Sequence, residues 1–178
     1  MENKLIFEIV NNELTKIQNT YSLKESKKRF LSEDDFKCQL FGMIHKSLIE
    51  NNLEDKYSVH SEISFYNKEN RLRYRPDISI IENKYFEMEN KSFDWTLDSD
   101  GASILIEIKF IKKANSKVFD NICKDMEKLS LLSNLNEKSK SFMICFDFIG
   151  EAYQNRKYPS TENVEFRYAP NKSLERNI

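Results

Sequence analysis

Three charged residues stand in apolar runs where an unpartnered charge would be costly to bury. Glu107 and Lys109 interrupt Ile104-Leu105-Ile106-Glu107-Ile108-Lys109-Phe110-Ile111, and Asp77 opens the run into Ile78-Ser79-Ile80-Ile81 behind Arg75-Pro76. Strand alternation puts Glu107 and Lys109 on one face, extended by Leu105 and Ile111, with Ile106, Ile108 and Phe110 on the other. Carboxylates on neighbouring strands are the oxygen donors that a hard divalent cation takes. An ammonium beside them is a compact charge able to orient a water. The spelling Glu-x-Lys carries little by itself, because it also occurs at Glu2/Lys4, Glu25/Lys27, Glu54/Lys56, Glu82/Lys84 and Glu89/Lys91. Those five have a polar middle residue, whereas Glu107/Lys109 has an apolar centre and apolar flanks.

Pro76-Asp77 followed by Glu107-Ile108-Lys109 resembles the PD-(D/E)XK nuclease superfamily over about residues 32 to 148. The order of parts supports the resemblance: a helix carrying an acid, a hairpin with Pro-Asp, a hydrophobic Glu-x-Lys strand, then a helix and a strand. It implies an α/β fold with a restriction-endonuclease-like core, a mixed central β-sheet flanked by helices. It also implies a DNA endonuclease that hydrolyses phosphodiester bonds with water activated by Mg2+ (or Mn2+). On that basis Asp77 and Glu107 are catalytic metal ligands, helped by the backbone carbonyl of Ile108, and Lys109 is the catalytic lysine.

Superfamily members often add an acid from the preceding helix, and Glu33 is the candidate for that catalytic and metal-binding role. Positions 33, 36, 40 and 44 share one helical face, so Glu33 continues an apolar stripe, whereas Asp34 aligns with Cys38 and Phe41. An acid in a first helical turn is favoured by the helix dipole whatever else it does. Arg71, Arg73, Arg75 and Asp77 lie two apart, and in a regular strand they form a cationic row along which a phosphate backbone could lie. Lys112, Lys113 and Lys117 could continue it, and a solvated strand face is the bland alternative. Glu62 reads as surface, while Asp125 and Lys128 resemble polar positions seen on this helix in related nucleases and are explained as well by an i,i+3 surface pair.

The bulk composition narrows the classes. The 178 residues suit a single domain, 1–178, read as an N-terminal helical extension over 1–31 and a core over about 32–169. There are 32% charged residues and no apolar stretch approaching the roughly 20 residues that span a bilayer, so no membrane partner is expected. The N-terminus has amphipathic helix spacing rather than signal-peptide character. Cys38, Cys123 and Cys145 are odd in number and widely spaced in buried-looking runs, which argues against a disulfide framework and for reducing cytoplasm. Three glycines effectively exclude phosphate-cradling Gly-rich loops. A net charge of −1 argues against non-specific coating of nucleic acid and leaves room for a local basic patch. Cleavage of both duplex strands would imply a homodimer or a larger nuclease complex. The competing reading is a catalytically inactive nuclease-fold protein that binds nucleic acid or a partner protein.

The elements that must position these residues follow from periodicity. Residues 3 to 18 read as an amphipathic helix, and 22 to 29 as a connection. Ser32 reads as an N-cap with Asp35 completing a capping box, ahead of Phe36, Leu40, Ile44 and Leu48, and Asn51-Asn52 ends that helix. Tyr57 to Tyr66 and Arg71 to Ile81 read as a hairpin around Asn67–Asn70. Residues 83 to 102 read as irregular, with a turn at 98–101. The Glu107 strand, a helix over 116–135, an apolar strand over 141–149 and a short strand over 164–168 complete the chain.

Overall fold

Apolar residues on both faces of the strand over 104–111 need cover on both sides, and the chain supplies a different layer for each. The computed structural model describes residues 2–22, 32–67, 72–87, 96–98, 102–113, 115–133, 140–148, 161 and 163–170. In chain order its elements are α1 (Glu2–Ser22), α2 (Glu33–Glu50), β1 (Tyr57–Ser61), β2 (Ser64–Asn67), β3 (Leu72–Tyr74), β4 (Ile78–Glu82), α3 (Lys84–Glu87), β5 (Thr96–Asp98), β6 (Ala102–Ile111), α4 (Ser116–Ser133), β7 (Lys140–Asp147) and β8 (Val164–Pro170). Five strands form a mixed sheet in the order β1-β4-β6-β7-β8, and β3-β2-β5 form a second, smaller sheet. The first two pairings are antiparallel, and β6-β7 and β7-β8 are parallel. The architecture is therefore mixed α/β, a five-stranded mixed sheet flanked by helices.

One face of the main sheet presents Ile78, Ile80, Ile104, Ile106, Ile108, Phe142, Ile144 and Phe146 to α1 and α2. The other presents Leu105, Ile111, Met143 and Cys145 to α4 and to Phe65 of the small sheet. β7 is buried from Ser141 to Asp147, the uninterrupted burial of a strand covered on both faces. α1 places Ile6, Val10, Leu14, Ile17 and Tyr21 in the first cluster, so the segment read as an extension builds the core. Leu14 is 0% exposed, and Leu14→Ala is expected to cost about 2–5 kcal/mol in a denaturant melt. A loss below about 1 kcal/mol would return α1 to the status of an appendage.

The local signals at α2 hold. The Ser32 side chain accepts the Asp35 N–H, the Asp35 carboxylate accepts the Ser32 N–H, and Asn51 caps the other end. The hairpin differs from the sequence reading. Its two strands keep one register throughout, with Ser61 opposite Ile78 and Phe65 opposite Tyr74, but both break at the same level. On one side Glu62 takes a left-handed φ of 55°. On the other, Pro76 has no N–H to donate and restricts Arg75 before it. The Glu62 N–H donates to the Asp77 carbonyl at 3.1 Å and ties the two breaks together. Half of the hairpin thus stays in the main sheet, while β2 and β3 cross towards α4. The region read as irregular contributes α3 and β5, which pairs with β2 in parallel. The expected turn at 98–101 and the ends expected at 134–135 and 149 fall at least partly outside the described residues. Cys38 is exposed, contrary to the buried position expected for it, and Cys145 is buried.

Candidate functional site

The break at Arg75–Asp77 leaves part of β6 without a neighbour. β4 pairs with β6 only as far as Ile78 opposite Ile106. The next N–H groups on that edge, those of Ile108 and Phe110, are taken by side chains instead. Asp77 Oδ2 accepts from Ile108 N at 2.7 Å, and Glu33 Oε2 accepts from Phe110 N at 3.1 Å. In an extended strand a residue's N–H and C=O point the same way, so the Ile108 carbonyl faces this same edge. Two acids from different elements thereby line one strand edge, Asp77 from the hairpin break and Glu33 from the first turn of α2.

Glu107 and Lys109 lie on the α4 side, as alternation requires. Glu107 is 6% exposed, and its Oε1 lies 2.5 Å from Lys109 Nζ. Its other oxygen, Oε2, is buried and completes no hydrogen bond of normal geometry, and neither does the buried Tyr74 hydroxyl. Burial, then the charge of Asp77, push the Glu107 carboxyl up to about 7, against the opposing pull of Lys109 and of the nearby Tyr74 phenol. Asp77 is raised by burial, an effect opposed by the Ile108 N–H and by Lys37. Glu33 is raised by burial and then by Asp77. Burial disfavours charge on all three, and Asp77 adds repulsion on Glu107 and Glu33, a condition a cation relieves.

Lys109 is held from two sides, since Asp125 Oδ2 lies 2.9 Å from its Nζ. Burial opposes its charge, but Glu107 and Asp125 more than offset this and raise its pKa. Asp125 also pairs with Lys128 at 2.8 Å. Burial pushes the Asp125 carboxyl up, yet the hydrogen bonds from Lys128 and Lys109 bring it below its ordinary value. A cavity of about 390 Å³ opens beside these groups, lined by Lys109, Phe110, Asn121, Lys124, Asp125 and Lys128 among others.

The structure brings Asp77, Glu107, Lys109, Glu33 and the Ile108 backbone together. Of the arginine row, the break separates Arg73 from Asp77. Arg73 is on β3 and exposed, Arg75 lies in the break with Nη2 3.5 Å from Glu62 Oε2, and Arg71 is outside the described residues. Lys112 and Lys113 are exposed just beyond β6, Lys112 with its Nζ 5.4 Å from the Phe110 ring centroid, and Lys117 is exposed in the first turn of α4. Sequence reasoning missed Lys37, 3.7 Å from Asp77, and Tyr74, and left Asp125 open between a site position and a surface pair. Signals existed for two of them. Lys37 is i+4 from Glu33, and Asp125 occupies the apolar stripe of Val118, Ile122, Leu129 and Leu132.

Mg2+ usually takes one or two protein carboxylates and keeps several waters. Asp77 and Glu107, with a buried Oε2 that completes no hydrogen bond of normal geometry, fit that demand, and the Ile108 carbonyl faces the same edge as Asp77. Among the described residues no group of three or more His, Cys, Asp or Glu side chains stands ready to hold a metal ion. Water and a bound ligand would have to complete the shell.

No protein-family model matches the sequence, and no curated protein matches it. Among solved structures, the chain is similar to NucC of E. coli MS115-1 in its cAAA-bound form, with a TM-score of 0.43 and 10% identity. The match covers 83% of this chain and 63% of that one, so the chain spans less than two thirds of the neighbour's length. Among the described residues no helix is long and apolar enough to cross a membrane.

Proposed function

We propose that the protein is a divalent-metal-dependent endonuclease that hydrolyses phosphodiester bonds in DNA. The observation that carries the reading is the buried Glu107 carboxylate, with Asp77 as its charged neighbour, one oxygen on Lys109 and the other buried near the Tyr74 hydroxyl without a hydrogen bond of normal geometry. Asp77, Glu107 and the Ile108 carbonyl would hold Mg2+ or Mn2+, and Glu33, whose carboxyl the charge of Asp77 raises, would reach the ion through one of its waters. Such an ion lowers the pKa of a bound water and neutralises charge on the scissile phosphate.

The chain's own groups do the rest. Lys109 orients the attacking water and stabilises charge that builds on the phosphate. Asp125 keeps that ammonium in place when Glu107 is otherwise engaged. Lys124, Lys128 and Asn121 offer the lining of the cavity to the neighbouring phosphates or sugars. One such site faces one strand, so cleavage of both strands of a duplex requires two copies. Three cysteines outside any disulfide suit a reducing, cytoplasmic setting for the enzyme.

A second reading has its own support. Lys109 already neutralises Glu107, and the Ile108 N–H already occupies Asp77, which is how a non-enzymatic domain of this fold could keep its carboxylates for structure. Melting in millimolar Mg2+ or Mn2+ separates the two, because a cation held only by the folded state adds about 2.7 kcal/mol at 100 times its dissociation constant. A melting temperature unmoved by either ion favours the structural role. Lys109→Arg keeps the charge but changes its shape and reach, and roughly 10²-fold slower hydrolysis is expected with the metal-induced shift intact. Wild-type rates in Lys109→Arg would remove Lys109 from the chemistry.

A further inference from the structure

Lys37 is not paired as a surface lysine is. Its side chain is 14% exposed, and its Nζ lies 2.5 Å from Glu62 Oε1, 3.3 Å from Asp34 Oδ1 and 3.7 Å from Asp77 Oδ1. A lysine ordinarily buries its stem and sends the ammonium to water. Here the ammonium is held closest by the partly exposed Glu62 and the exposed Asp34, with a carboxylate of the proposed metal site as its third neighbour. Asp77 Oδ2 accepts the Ile108 N–H, so Oδ1, the oxygen facing Lys37, is the less occupied of the two for a cation.

Glu62 supplies the second observation. Its φ of 55° is a conformation that a residue with a side chain keeps only where the surroundings enforce it, and such strain concentrates at functional sites. Its N–H is bound to the carbonyl of Asp77, and Arg75 approaches its Oε2 at 3.5 Å. The strained residue thereby ties Lys37 to the same backbone segment that carries Asp77.

We propose that Lys37, tethered by Glu62, is a built-in counter-cation that competes with the divalent ion for Asp77 and so sets the metal affinity of the site. This rests on the metal-dependent reading above. Removing the ammonium leaves Asp77 in a more negative potential and tightens metal binding. Removing the Glu62 charge has the opposite effect, because the freed ammonium settles on Asp77 instead. A merely structural ion pair would lower the melting temperature in both variants and would not move metal affinity in opposite directions.

The test is calorimetric titration of Mn2+ into the full chain without DNA, for wild type, Lys37→Met, Glu62→Gln and Asp77→Asn. Lys37→Met is expected to bind on the order of tenfold more tightly, and Glu62→Gln several-fold more weakly. Asp77→Asn should lose binding. Equal affinity in wild type and Lys37→Met, with binding still abolished by Asp77→Asn, overturns the role of Lys37 and leaves the metal site standing. Absence of binding in both wild type and Lys37→Met overturns the inference together with the metal-dependent reading. Binding seen only in Lys37→Met supports the inference in its strongest form. If Lys37→Met does not fold, Glu62→Gln decides, and unchanged or tighter binding there overturns the proposal.

Discussion

Asp77→Asn is expected to lower metal-dependent cleavage by roughly 10³-fold or more while leaving the protein folded. The asparagine side-chain oxygen can still accept the Ile108 N–H, now 2.7 Å from Asp77 Oδ2, so the open edge of β6 keeps its partner. What disappears is the charge. A neutral amide is a poor ligand for a hard cation and offers Lys37 no counter-charge. Relief of repulsion on Glu107 and Glu33, both raised in part by Asp77, offsets some of the lost packing. The variant should therefore melt near the wild-type temperature in EDTA and gain nothing from Mg2+. Monitoring unfolding by circular dichroism with and without metal checks both halves. Retained metal-induced stabilisation would place the cation elsewhere.

Glu107→Gln should abolish activity and yet stabilise the metal-free protein, by about 1 kcal/mol. For a chain of this size that corresponds to about 2–4 °C in melting temperature. A buried carboxylate with a charged neighbour and one oxygen lacking a hydrogen bond of normal geometry is an unfavourable group to ionise. Glutamine fills the same volume without the charge, and Lys109 keeps Asp125 at 2.9 Å as its partner. The pH dependence carries the same sign. The Glu107 carboxyl is raised from 4.5 to about 7, so the folded state holds this proton more tightly than the unfolded chain. Stability from this group is thus greatest at low pH and falls as pH rises from 4.5 through about 7. Glu107→Gln should lack that decline. Destabilisation by the same substitution, with no change in pH dependence, would instead identify Glu107 as the structural partner of Lys109.

Much of this arrangement could be read from local pattern because local physics produces it. The alternation that separates Glu107 and Lys109 from Ile106 and Ile108 is a property of any strand, and the two hydrophobic clusters divide as it requires. The Ser32–Asp35 capping box and the Glu33 stripe follow from helical spacing alone. What escaped the sequence depends on tertiary placement. An unbroken strand was the natural reading of Tyr57–Tyr66, because nothing in the letters marks Glu62 as left-handed. With that break unseen, Arg73 reads as continuing one strand with Asp77, and nothing in the letters brings Tyr74 towards Glu107. Lys37 and Asp125 show a further limit. A charged residue on a buried stripe is visible as an anomaly, but its partner becomes visible only when the helices and the sheet are brought together.

The most direct test incubates supercoiled plasmid with the protein and Mg2+ or Mn2+, beside EDTA controls and Asp77→Asn, and follows nicked and linear products. Metal-dependent cleavage by the wild type and none by folded Asp77→Asn is the predicted result. Plasmid left intact by well-folded wild-type protein in both metals, or cut equally by Asp77→Asn, would contradict a nuclease centred on Asp77, Glu107 and Lys109.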